Sequence, residues 1–185
     1  INAPPVVVLH GSDQLCIGQN SQVSPTTQGI WISSNPSVVS VTNSGYITAF
    51  TAGVSNLTFI SSTTGCTSSV ITITVNPKPV INITGSTEIC VNTTTTLLPS
   101  IGGTWYSNNP SVATINANGI VTGISQGAAK FYFISTLTGC QSNLSATITV
   151  NSKPYVNVIG PIEICAGNTT QLLPTVGGIW TSLNT

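Results

Sequence analysis

Arginine is absent from this 185-residue sequence, and only 3% of its residues are charged, where soluble domains carry about 25%. Lys78, Lys130 and Lys153 balance Asp13, Glu88 and Glu163 in number, so the formal net charge is zero. Such a surface has no patch to neutralise phosphates, which argues against nucleic acid as a partner. It offers as little to an anionic membrane. No apolar run approaches the length of about 20 residues that spans a bilayer, so this segment is not expected to insert. His10 is the only histidine, and the sequence repeats with a period of about 75 that puts Thr84 and Ile159 in its column. No copy holds two carboxylates, which excludes paired acid–base chemistry. Calcium clamps draw on several carboxylates, and the cysteines have neither C-x2-C spacing nor a histidine nearby. The expectation is a protein that is not an enzyme and uses no cofactor or metal.

What is present is repetition. Gly103 to Gly123 reads GTWYSNNPSVATINANGIVTG. A weaker copy, GIWISSNPSVVSVTNSGYITA, lies 74 residues earlier, from Gly29 to Ala49, and a third begins 75 residues later as GIWTSLNT. Boundaries containing proline keep the same beat: Asn2-Ala3-Pro4-Pro5, Asn76-Pro77-Lys78-Pro79 and Asn151-Ser152-Lys153-Pro154. A period of about 75 is longer than a solenoid turn and suits a small independent domain. The division is 3–77, 78–152 and 153–185, the last only begun. Pro5, Pro77, Pro79 and Pro154 form the linkers, which are short and stiff enough to hold neighbours extended.

Within a copy the pattern is all β, with 40% of the chain apolar and spread in short alternating runs. In the second copy, strands are expected at 80–83, 94–98, 103–107, 112–115, 120–122, 130–135 and 146–150. Asn116-Ala117-Asn118-Gly119 is a hairpin turn whose Asn and Gly tolerate positive φ. Seven short strands with turn signals between them give a β-sandwich of immunoglobulin type. The whole is a series of tandem sandwiches in a rod, each about 35–45 Å long from its strand rise.

Cys16, Cys90 and Cys165 occupy one column of the repeat, and Cys66 and Cys140 a second. Cys16 and Cys66 are 50 residues apart, as are Cys90 and Cys140. The simplest assignment is one disulfide within each copy, contributing roughly 4 kcal/mol by loop closure and placing the chain in an oxidising compartment. The alternative is reduced cysteines filling a core. Cys165 has no partner at this spacing, so the chain is expected to continue. The other solution is a partner chain that completes the third copy by strand addition.

Trp105, Ser107, Asn109, Pro110, Ser111, Val112, Ala113, Gly119, Val121, Thr122, Gly123 and Gly127 form a pattern that resembles the bacterial immunoglobulin-like repeats of group 2. The first copy keeps Trp31, Asn35, Pro36, Ser37, Val38, Gly45, Thr48 and Gly53, and departs at Val39 and Ala49. The third matches through Trp180, Ser182 and Asn184. The cysteine pair, the N-P-K-P linker and the T-G-C turns are similar to the charge-poor arrays of giant Bacteroidota surface adhesins, including those of gliding cells. That resemblance implies type 9 secretion, display as an extracellular filament attached at the outer membrane, and surface glycans or anchoring proteins as partners beside the neighbouring repeats. The expected function is a structural stalk.

Two other readings stand beside the stalk. A carbohydrate- or protein-binding module would cluster Tyr106, Tyr132 or Tyr155 on one face. A strand-exchanging filament subunit or a virion decoration could use the same fold. Trp31, Trp105 and Trp180 are core candidates by their repeated place before S-x-N-P, with a sugar platform as the competing role.

Overall fold

The computed structural model describes residues 2–183, and all of its regular elements are strands. Ile1, Asn184 and Thr185 lie outside the described residues, so the match expected through Asn184 does too.

The first eight strands are β1 (Val8–His10), β2 (Gln14–Cys16), β3 (Asn20–Ser24), β4 (Gly29–Ser33), β5 (Val39–Val41), β6 (Tyr46–Ala49), β7 (Gly53–Ser61) and β8 (Ile71–Asn76). They form two four-stranded sheets, ordered β1-β3-β6-β5 and β2-β8-β7-β4. Every pairing is antiparallel except β2 with β8, which runs parallel and sets Cys16 opposite Asn76. Alternation decides which face is inside: Leu57 and Phe59 of β7 and Ile73 and Val75 of β8 point into one core with Val23, Trp31, Val39 and Ile47.

The next nine strands repeat the plan. They are β9 (Asn82–Ile83), β10 (Glu88–Cys90), β11 (Thr94–Leu98), β12 (Gly103–Ser107), β13 (Ala113–Ile115), β14 (Ile120–Gly123), β15 (Gly127–Ala129), β16 (Phe131–Ser135) and β17 (Ile148–Asn151). One sheet has the order β13-β14-β11-β9, and the other is split into β10-β17-β15 and β12-β16. Again one pairing is parallel, β10 with β17, and it sets Cys90 opposite Asn151. Ile89, Leu97, Trp105, Ala113, Val121, Phe131, Phe133, Ile148 and Val150 form a second core in the columns of the first. The last two strands, β18 (Asn157–Ile159) and β19 (Gln171–Leu173), pair antiparallel as β1 pairs with β3. Ile164, Leu172, Ile179 and Trp180 around them are exposed.

The expected strands differ from these in instructive ways. Strands at 94–98 and 103–107 have the expected bounds. The one expected at 146–150 begins at Ile148 instead, because Ser142 and Ser145 take the place of a strand beside β16. Their hydroxyls accept hydrogen bonds from the Phe133 and Phe131 amides (2.9 and 3.0 Å) and donate to the Asn143 and Ala146 carbonyls. The short strands β10 and β15 lie outside the expected set.

Gly45 and Gly119 close the hairpins after β5 and β13. Each has φ of 77°, and each carbonyl accepts a 2.8 Å hydrogen bond, from Val23 and Leu97 respectively. A Cβ at either position would overlap the carbonyl oxygen of that same partner. Both demands, positive φ and close backbone approach, admit glycine alone.

Thr95 breaks the polar accounting. Its side-chain oxygen is buried without a hydrogen-bond partner, at a desolvation cost of about 1–3 kcal/mol. Thr95→Val keeps the shape and removes the orphan, so it should raise stability in urea by about 1 kcal/mol. A loss of stability would show that the hydroxyl is satisfied in solution.

Candidate functional site

A covalent bond joins the first set of strands to the second, and two turns position it. Cys16 ends β2. Its amide donates to the Gln19 side-chain oxygen (2.8 Å) and its carbonyl accepts from the Gln19 amide (2.9 Å). The Ile17 amide donates to the Asn76 carbonyl (3.2 Å), which ties this turn to the end of β8 as the chain leaves for the linker. From the other side comes the turn Thr138-Gly139-Cys140. Gly139 adopts φ of 69°, and its amide donates to the Ser135 carbonyl, while the Cys140 carbonyl accepts from the Ser135 amide. This presents a buried Cys140 to the Asn76 carbonyl, 4.0 Å from Sγ.

Cys16 and Cys140 are joined by a disulfide, with Cα atoms 5.6 Å apart. This corrects the expected pairing of Cys16 with Cys66 and Cys90 with Cys140. The reason is polarity along the sandwich. Column-one cysteines sit where β8 or β17 ends; column-two cysteines sit in the turn beyond β7 or β16, at the opposite pole. About eight residues of β7 separate the two levels, or roughly 26 Å at strand rise, far beyond the Cα separation of about 4.4–6.8 Å that a disulfide allows. Column one of the first copy does meet column two of the second, as Cys16 with Cys140. Cys66, Cys90 and Cys165 carry free thiols.

Trp31 and Trp105 are buried and pack on Phe59 and Phe133, with ring centroids 5.2 and 5.1 Å apart. Their indole N–H groups donate to the Pro25 and Pro99 carbonyls (2.8 and 2.9 Å), which satisfies the polar end of a buried ring. Neither offers a face to a sugar. Trp180 makes the same bond to Pro174 (3.0 Å) but is 47% exposed.

The S-x-N-P-S motif also turns inward. Ser33 and Ser107 donate to the Val39 and Ala113 carbonyls, and Asn35 and Asn109 accept from Ser37 and Ser111. The motif therefore builds a turn. His10 hydrogen-bonds Ser24 on the exposed edge strand β1.

Pro5 and Pro79 are half-buried, and Pro77 and Pro154 exposed. Pro77 and Pro79 share a groove with Ile101, Phe133 and Leu137, so the linker is seated on the second set of strands. Tyr106 and Tyr132 stack across β12 and β16, with centroids 5.0 Å apart. Tyr155 is exposed and follows the next linker.

The two paired sheets around each core define an all-β, immunoglobulin-like sandwich. Residues 69–150 match the family model of the bacterial Ig-like domain (group 2). The chain is also similar to domains 4 and 5 of the S-layer protein SbsC, with 16% identity over 81% of this chain and 99% of that one, and a TM-score of 0.37. It is similar to a C-terminal fragment of intimin in complex with the intimin-binding domain of its translocated receptor. There identity is 16% over 85% of this chain and 66% of that one, with a TM-score of 0.49. A third likeness is to SGBP-B of Bacteroides ovatus in complex with a mixed-linkage heptasaccharide. It has 14% identity over 81% of this chain and 48% of that one, with a TM-score of 0.26. Among curated proteins none matches.

Proposed function

We propose that this chain is a structural segment of a large secreted bacterial surface adhesin: a non-catalytic stalk of tandem Ig-like repeats at 3–77, 78–152 and 153–185. Its place is the cell exterior, in a filament attached at the outer membrane and exported by the type 9 route, serving adhesion and, in gliding cells, motility. The Cys16–Cys140 bond carries the reading. A disulfide between repeats does nothing for chemistry at a pocket; it fixes one repeat against the next across a proline-bearing linker. It also belongs to an oxidising compartment, outside the cytoplasm. The near absence of charge supports the same role, because little in such a surface titrates or is screened by salt. The partners are neighbouring repeats, with surface glycans or anchoring proteins at the ends of the filament.

Antibody raised against the chain should label intact cells of the source bacterium, and brief protease treatment of whole cells should remove that labelling. Labelling only after permeabilisation would sink the reading. The stacked Tyr106 and Tyr132 favour a second one, a module that binds glycan or protein through this face. It requires ligand binding that Tyr106→Ala abolishes.

A further inference from the structure

The free thiols of Cys66 and Cys90 are not equivalent to ordinary surface cysteines, because the same molecule shows what their sockets hold. Cys66 repeats the setting of Cys140 bond for bond. Its amide donates to Thr64 Oγ1 at 3.3 Å, as that of Cys140 does to Thr138 Oγ1. Its Sγ lies 3.9 Å from the carbonyl of Asn2, as Cys140 Sγ lies 4.0 Å from that of Asn76. Gly65 has φ of 66°, beside 69° at Gly139.

Cys90 likewise repeats the setting of Cys16. It stands opposite Asn151 in a parallel pair, as Cys16 stands opposite Asn76. Its amide donates to Thr93 Oγ1 (2.9 Å), where Cys16 uses Gln19. The Val91 amide donates to the Asn151 carbonyl, as Ile17 does to Asn76. Cys165 begins the same turn, its carbonyl accepting from Asn168. What differs is cover: Cys16 is 8% exposed under Cys140, whereas Cys90 is exposed.

We propose that Cys66 and Cys90 are the two open halves of further inter-repeat bonds, and that the occupant of each socket is another copy of this repeat. Cys90 takes the column-two cysteine of a copy seated on its pole. Cys66 takes the column-one cysteine of a copy seated before Asn2. The bonds then interleave: each repeat with neighbours on both sides is tied forward through column one and backward through column two, and none is closed on itself. The inference rests on the stalk reading only in needing an oxidising compartment.

Bond formation follows thiol–disulfide exchange with an oxidant disulfide, small molecule or protein. The Cys90 thiolate attacks one oxidant sulfur, forms a mixed disulfide and releases a thiolate. The incoming cysteine's thiolate attacks the Cys90 sulfur and releases the second. The two cysteines lose two protons, and the two electrons end on the oxidant's two thiols.

The test is disulfide mapping of the protein isolated from its source. Free thiols are blocked with iodoacetamide before unfolding, and digestion is done without reductant. The expected result is a peptide with Cys90 joined to a T-G-C peptide of another repeat copy, and one with Cys66 joined to a column-one peptide. Both pairs should separate on reduction. Alkylated Cys66 and Cys90 would overturn the proposal, as would peptides joining Cys16 to Cys66 or Cys90 to Cys140. Surface labelling with alkylated Cys66 and Cys90 would remove the interleaved bonds and leave the stalk. Interleaved bonds in a protein that antibody cannot reach on intact cells would do the reverse.

Discussion

Cys140→Ser will lower the stability of both sets of strands, and Cys66→Ser will leave it unchanged. The bond closes a loop between residues 124 apart in sequence, so the chain-entropy model gives about 4–5 kcal/mol for its removal from the unfolded state. That loss falls on both cores, because the loop takes in β3 to β16. Cys66 and Cys90 are unbonded in this chain, and serine there should shift the urea midpoint by less than the equivalent of about 0.5 kcal/mol. One cysteine pair per repeat would give the opposite pattern, with Cys66→Ser and Cys140→Ser equally damaging and each confined to its own repeat. Urea unfolding of the three variants, without reductant, separates the two arrangements.

Trp105→Ala should cost about 3–5 kcal/mol, a large share of what so small a sandwich has. The indole is buried against Phe133, and its loss leaves a cavity between the sheets. It also leaves the Pro99 carbonyl without the N–H it accepts. Trp105→Phe divides the two effects, since it refills much of the cavity but not the hydrogen bond, and should cost roughly 1–3 kcal/mol. In both variants Trp31 is the buried tryptophan that remains, beside the half-exposed Trp180, and the change in its emission reports the first core. Its transition should persist at higher urea than the earlier of two steps in the far-UV circular dichroism, which follows both cores. Unaltered unfolding of Trp105→Ala would mean that the ring is not part of a packed core.

Much of this was legible in residue order, and the limits have physical causes. Trp105, Gly119 and the S-N-P-S run are readable because each meets a local demand: a ring in the core, positive φ, a side-chain-capped turn. The alternation of Thr94 to Leu98 and Gly103 to Ser107 is readable because one face is wet and the other dry. Glu88-Ile89-Cys90 is not, since three residues with one apolar side chain carry no period, and their partner β17 lies far along the chain. Missing that strand hides the fact that column-one cysteines sit at one pole. The repeat itself compounds this. A constant offset of 50 pairs four of the cysteines within repeats, whereas an offset of 124 joins the same two columns across repeats and pairs Cys16 with Cys140 alone, so the position of β10 and β2 decides. Ser142 and Ser145 are invisible for another reason: a hydroxyl that replaces a strand's carbonyl has no sequence signature.

The position of the disulfide also decides which bonds bear load. A pull applied at the two ends of this chain enters before Cys16, crosses from Sγ to Sγ, and leaves after Cys140. The residues between them, roughly 430 Å of contour if extended at about 3.5 Å each, form a closed loop that feels no tension. Stretching can peel β1 and β2 from one sandwich and β17 from the other and can part β18 from β19, whereas the residues inside the loop can unfold or refold without changing the length of the molecule. Reduction transfers that slack to the load path, so the redox state of one bond sets how far this segment can extend.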